Sequence, residues 1–77
     1  MIVNLVEVIA KALVDSPGEV TTNEISGTHS TVIELKVAKS DMGRIIGRKG
    51  SNARALKDII AAASGKLHRK YILEIVE

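Results

Sequence analysis

The chain has 77 residues, of which 45% are hydrophobic and 26% charged, a composition that excludes a disordered segment or a membrane-embedded protein and leaves room for one small domain. It contains no cysteine, which excludes a disulfide framework, a thiolate metal site and a cysteine nucleophile, and fits the reducing cytoplasm. The net charge of +2 conceals an asymmetry, because residues 1–35 carry one base against five acids while residues 36–77 carry ten bases against four acids, so a polyanionic partner is expected on the second half.

In chain order, Ile2, Leu5, Val6, Ile9, Ala10 and Leu13 recur at helical spacing and predict an amphipathic helix with one buried stripe. The segment 1–14 has neither a basic start nor a cleavage site, and Asn4, Glu7 and Lys11 interrupt it, so it reads as a helix of the domain and not as a leader or a membrane span. Asp15-Ser16-Pro17-Gly18 stops it. Residues 19–26 are polar with β-branched content, and in residues 31–38 Ile33, Leu35 and Val37 alternate with Glu34 and Lys36. Two strands joined by the turn-prone 27–30 segment predict an antiparallel hairpin with one face on the core.

Ser40 or Asp41 is placed to cap a short helix running to about Ile46, which Gly47 ends by accepting a positive φ. Ser51 is placed to cap a longer helix in which Leu56, Ile59, Ile60 and Ala63 share the buried face and Gly65 marks the C-terminal cap. Residues 70–76 read as a last strand, apolar on both faces and hence the most enclosed of the three. Two helices before it permit a right-handed crossover, so it runs parallel to one hairpin strand in a mixed sheet covered on one side.

The distinctive stretch is Met42-Gly43-Arg44-Ile45-Ile46-Gly47-Arg48-Lys49-Gly50-Ser51, two helices joined by a glycine-bounded turn. Glycine on either side removes the Cβ atoms that would hold a sugar-phosphate strand away from the main chain. Arg48 and Lys49 between them offer cations to phosphate oxygens, and the positive end of the helix beginning at Ser51 faces the same anion. Arg44, Arg54 and Lys57 extend the basic cluster, with no acid between positions 44 and 57.

Ile45-Ile46-Gly47-Arg48-Lys49-Gly50 resembles the I-I-G-x-x-G signature of the KH domain, an RNA-binding module. The αββααβ order resembles the type II topology of that family across essentially the whole chain. The opening Val6, residues 9–15 and Pro17, together with the ending 71–77, resemble the small stand-alone bacterial KH proteins. The resemblance implies an α+β fold: a single type II KH domain over residues 1–77, with a three-stranded mixed sheet and its helices packed on one face. It also implies a narrow groove for about four nucleotides of single-stranded RNA.

In that groove Gly47 and Gly50 would shape the loop, and Arg48 and Lys49 would contact phosphates. Of Ile45 and Ile46, one would support the groove floor and the other the core. Gly43 would allow close packing nearby, and Arg44, Arg54 and Lys57 would be secondary phosphate contacts. The same resemblance implies a cytoplasmic RNA chaperone or post-transcriptional regulator linked to cell-shape and envelope homeostasis. It would self-associate and pair with a larger KH-containing protein, and it would need no cofactor.

Tyr71 is the only aromatic residue, so base stacking on a series of aromatic side chains is excluded and phosphate contacts should dominate any RNA binding. A domain this small has a core worth only a few kcal/mol, which makes oligomerisation expected. At 100° per residue Ala55 and Ala62 fall on a flank beside Ile59, and this small-residue flank is a candidate dimer seam.

Rival readings fail on spacing. The Walker A pattern G-x-x-x-x-G-K-[ST] begun at Gly43 would require glycine where Arg48 stands, and Ile45 occupies the first-glycine position of a dinucleotide fingerprint. His29 and His68 have no paired carboxylate at ligand spacing, so neither a metal site nor acid–base catalysis is expected. A DNA-reading helix-turn-helix would place Asn52 and Arg54 at the start of a recognition helix, but the flanking strands favour the KH arrangement. Single-stranded DNA is a further candidate ligand. A pure interaction module would be indifferent to charge at positions 48 and 49.

Overall fold

The alternation of Thr31, Ile33, Leu35 and Val37 gives one strand a fully buried face, and the rest of the chain is arranged around it. The computed structural model describes residues 2–77; Met1, the first residue of the segment weighed as a leader, lies outside them. The elements run α1 (Ile2–Leu13), β1 (Thr21–Ser26), β2 (Ser30–Lys36), α2 (Met42–Ile46), α3 (Ser51–Leu67) and β3 (Lys70–Val76). This is the expected αββααβ order. Short 3-10 turns precede β1 at Pro17–Glu19 and α2 at Lys39–Asp41, and a third, Arg48–Gly50, joins α2 to α3.

The sheet order is β1-β2-β3. β1 and β2 pair antiparallel, with Ile25 opposite Val32, while β2 and β3 pair parallel, with Ile33 opposite Leu73. β2 is therefore the central strand. β3 keeps one free edge and buries only Leu73 fully, which corrects the expectation that it is the most enclosed strand. Its second apolar face, at Ile72, turns to the uncovered side of the sheet beside Val32 and Ile25.

All three helices contribute to a core on the other side: Ile2, Val6 and Ala10 from α1, Ile45 from α2, and Leu56 and Ile60 from α3, against Ile33, Leu35 and Leu73. Side chains four apart on α1 form its buried stripe, as helical periodicity requires. Leu5 and Ile59 depart from expectation, at 43% and 44% exposed. In each case the seam against the sheet is narrower than the apolar arc of the helix.

Two polar devices hold the frame. Asp41 does not cap α2 with its side chain. Its Oδ1 instead accepts the Asp15 N–H and its Oδ2 the Ser16 N–H, both at 3.1 Å, and the residue is 2% exposed. Arg69 donates from Nε to Thr31 Oγ1 at 2.7 Å and from Nη2 to Gly27 O at 2.9 Å, clamping the hairpin turn to the start of β3.

α3 also runs past Gly65 to Leu67, and the left-handed cap is His68 at φ 56°. Ser64 explains part of the extension: its Oγ donates to Ile60 O at 2.9 Å and accepts the Tyr71 N–H at 2.9 Å, so the helix end is bonded to β3. No helix among the described residues is long and apolar enough to cross a membrane.

Candidate nucleic-acid interface

The turn between α2 and α3 is built by backbone conformations that side chains resist. Gly47 has φ 76° and ψ 175°, a region essentially reserved for glycine. Its N–H closes α2 on Gly43 O at 2.9 Å. A Cβ at this position would meet Asn52 Cγ at 2.7 Å, so the glycine is required twice, by its dihedrals and by its neighbour.

Gly50, at φ 75° and ψ 15°, is left-handed, yet a Cβ there would meet nothing within 4 Å. Its outer side is open. Lys49, between the two, also sits at φ 54° and ψ 29°, a strained placement for a residue with a side chain.

Ser51 is the first residue of α3 and not its cap: the cap position is Gly50, and no side chain bonds to the first turn. The Ser51 N–H is used by the preceding turn, donating to Arg48 O. Asn52 is the residue that sequence reasoning undervalued. Its Nδ2 donates to Arg44 O at 2.8 Å and so ties the last turn of α2 to the first turn of α3. An amide two residues after the second glycine of the turn is the signal that was available for this role.

The two isoleucines divide cleanly. Ile45 is fully buried in the core, whereas Ile46 is 39% exposed, so only Ile46 presents apolar surface beside the turn. Arg48, Lys49, Arg54 and Lys57 are all exposed, and among the described residues none of them pairs with a carboxylate. Arg54 Nη2 reaches Lys49 O at 3.4 Å, bracing the strained residue.

Arg44 differs, because its Nη2 lies 3.1 Å from Asp15 Oδ2; the acid-free stretch in sequence acquires an acid in space. A Cβ on Gly43 would meet nothing within 4 Å, so no neighbouring group of the chain itself demands glycine there. Ala55, Ile59 and Ala62 are exposed together along α3, at the i, i+4, i+7 spacing that places them on one face. Tyr71 is half-buried against the core and offers no stacking platform. Among the described residues there is no cluster of three metal-ligating side chains.

The arrangement thus presents backbone, four exposed cations and one exposed isoleucine on a turn whose glycines keep it low. Such a surface suits an extended anionic chain lying against the main chain.

The sequence model of the KhpA/KhpB KH domain matches residues 3–75. The chain is 50% identical to the RNA-binding protein KhpA of Caldanaerobacter subterraneus subsp. tengcongensis over 72 residues, covering 94% of this chain and 96% of the relative. It is 46% identical to the protein of the same name from Clostridium perfringens, with the same coverage. With that from Borreliella burgdorferi it shares 45% identity, over 97% of this chain and 92% of the relative. No solved structure gives a significant match. A match of this extent, on a chain with the αββααβ order and the glycine-bounded basic turn, places the protein in the KhpA/KhpB family of KH domains.

Proposed function

We propose that the chain binds single-stranded RNA, with the backbone of about four nucleotides seated on residues 47–50. The observation that carries this reading is the turn itself: two positive-φ glycines enclosing two exposed cations that pair with no carboxylate among the described residues. Relatives named as RNA-binding proteins across nearly the full length support the choice of ligand. In this reading Gly47 and Gly50 keep the turn low, and Arg48 and Lys49 contact phosphates. Ile46 contributes apolar surface to the groove floor, Arg54 and Lys57 add charge along α3, and Gly43, Arg44 and Ser51 flank the path. Ile45 acts from the core, by holding α2 in place.

A single module without aromatic platforms binds weakly, in the micromolar range or above, and gains useful affinity from a second module. The exposed Ala55, Ile59 and Ala62 supply a seam for a homodimer, or for pairing with the larger KH protein KhpB. The family resemblance supports a cytoplasmic RNA chaperone or post-transcriptional regulator with a part in cell-shape and envelope homeostasis.

A fluorescent single-stranded RNA titrated at several salt concentrations tests the ligand assignment. Three or four phosphate contacts give a slope of log affinity against log salt of about −2 to −3, with duplex RNA competing poorly. A flat salt response, or equal binding of duplex, contradicts it. Light scattering at high protein concentration tests the seam: a strict monomer contradicts the homodimer.

A further inference from the structure

Arg44 stands three residues ahead of Gly47 on α2, and it is the one cation beside the turn that is paired among the described residues, with Asp15 Oδ2 at 3.1 Å. Asp15 is held in place by a second acid. Its own N–H donates to Asp41 Oδ1 and the next N–H, of Ser16, to Asp41 Oδ2. Asp41 is buried and lies at the start of α2. One buried carboxylate therefore fixes the backbone of the loop after α1, and the exposed carboxylate of that loop rests on the guanidinium next to the turn. The paired side chains are 59% and 72% exposed, so another anion has access to both. A carboxylate and a phosphate use the same guanidinium N–H donors.

We propose that Asp15 is an internal stand-in for phosphate at Arg44, which the RNA backbone displaces as it extends from the 47–50 turn along α2. The inference rests on the RNA reading above and adds to it a residue that opposes binding. Arg44 then contacts phosphate only in the bound state, and Asp15 lowers affinity for any polyanion that runs along α2 as far as Arg44, because that polyanion must break the pair before it can use the guanidinium. An exposed ion pair of this kind corresponds to about a 1.4- to 5-fold change in an equilibrium constant, which bounds the effect.

A double-mutant cycle on the full chain tests it, using a fluorescent single-stranded oligouridylate at low salt with circular dichroism as the check on folding. The variants are Asp15→Asn, Arg44→Gln, the two together, and Glu74→Gln as a control of equal charge change, since Glu74 is exposed on the sheet face away from the helices. The expected result is binding about 1.4- to 5-fold tighter for Asp15→Asn, no gain from Asp15→Asn when Arg44 is already Gln, and little gain for Glu74→Gln.

A gain that survives in the Arg44→Gln background, or that Glu74→Gln matches, overturns the proposal in favour of general charge. Unchanged or weaker binding by Asp15→Asn overturns it as well. These outcomes leave the RNA reading standing as long as the wild-type chain binds and Arg48→Asp/Lys49→Asp does not. Absence of binding by the wild type removes both.

Discussion

The face of β2 turned to the helices and the turn at residues 47–50 are specified by different physics. Around β2 position follows from removal from water: Ile33, Leu35 and Ile45 are fully buried, and each is worth on the order of 2 kcal/mol relative to an exposed side chain. The turn keeps Arg48 and Lys49 in solvent and is specified by backbone conformation instead, with positive φ at Gly47, Lys49 and Gly50. The first region should accept changes that preserve volume and apolarity, whereas the second should resist a side chain at its glycines, most at Gly47, while tolerating changes of charge. Folding and ligand affinity are therefore separable in this chain by mutation.

The largest effect expected is in the core. Leu35→Ala removes a fully buried side chain from the central strand and should lower stability by about 2–5 kcal/mol, read as a fall in the urea midpoint. For a domain of this size that consumes much of the total. Affinity for RNA should fall only as the folded population falls.

The two glycines sharpen the comparison within the turn. Gly47→Ala forces a side chain into a glycine-only region and against Asn52, and should destabilise by about 2–3 kcal/mol. Gly50→Ala meets the left-handed penalty alone, about 1–2 kcal/mol, because no neighbour lies within 4 Å of its added Cβ. Equal losses in the two variants, by thermal or urea unfolding, would break the distinction between dihedral and contact.

The smallest effect has the opposite sign. Lys49→Gly relieves a left-handed side-chain-bearing residue while adding freedom to the unfolded chain, and should raise stability by up to about 1 kcal/mol net. RNA affinity should fall at the same time. A variant that loses both would show that Lys49 holds the turn together and does not merely decorate it.

The element order was legible in the sequence because it rests on local periodicity: Ile33, Leu35 and Val37 at a period of two, and Ile2, Val6 and Ala10 at a period near four. The turn was legible because Gly47 and Gly50 bracket two cations. What escaped was tertiary. Leu5 and Ile59 fit their helical stripes, but how wide a stripe the sheet covers depends on crossing geometry that no single helix encodes. β3 was expected to be the most enclosed strand because both its faces are apolar, yet its pairing partner and free edge are set by the crossover.

Asp41 and Ser51 have the right chemistry for helix caps. Asp41 is drawn instead to two backbone N–H groups some 25 residues away in the chain, and at Ser51 the glycine before it already supplies the cap position. The Arg44–Asp15 pair joins residues from opposite halves of the charge asymmetry, so a count of acids along the basic stretch missed it.

The central claim is that the exposed cations of the turn bind RNA without contributing to the fold. Arg48→Asp/Lys49→Asp compared with the wild type in a salt-dependent anisotropy titration of single-stranded RNA, with circular dichroism and urea unfolding on both, tests it most directly. The account predicts an unchanged fold, affinity lowered by about tenfold or more, and a salt slope shallower by about 1.4 for two lost phosphate contacts. Equal affinity and equal slope for the two folded proteins would contradict it.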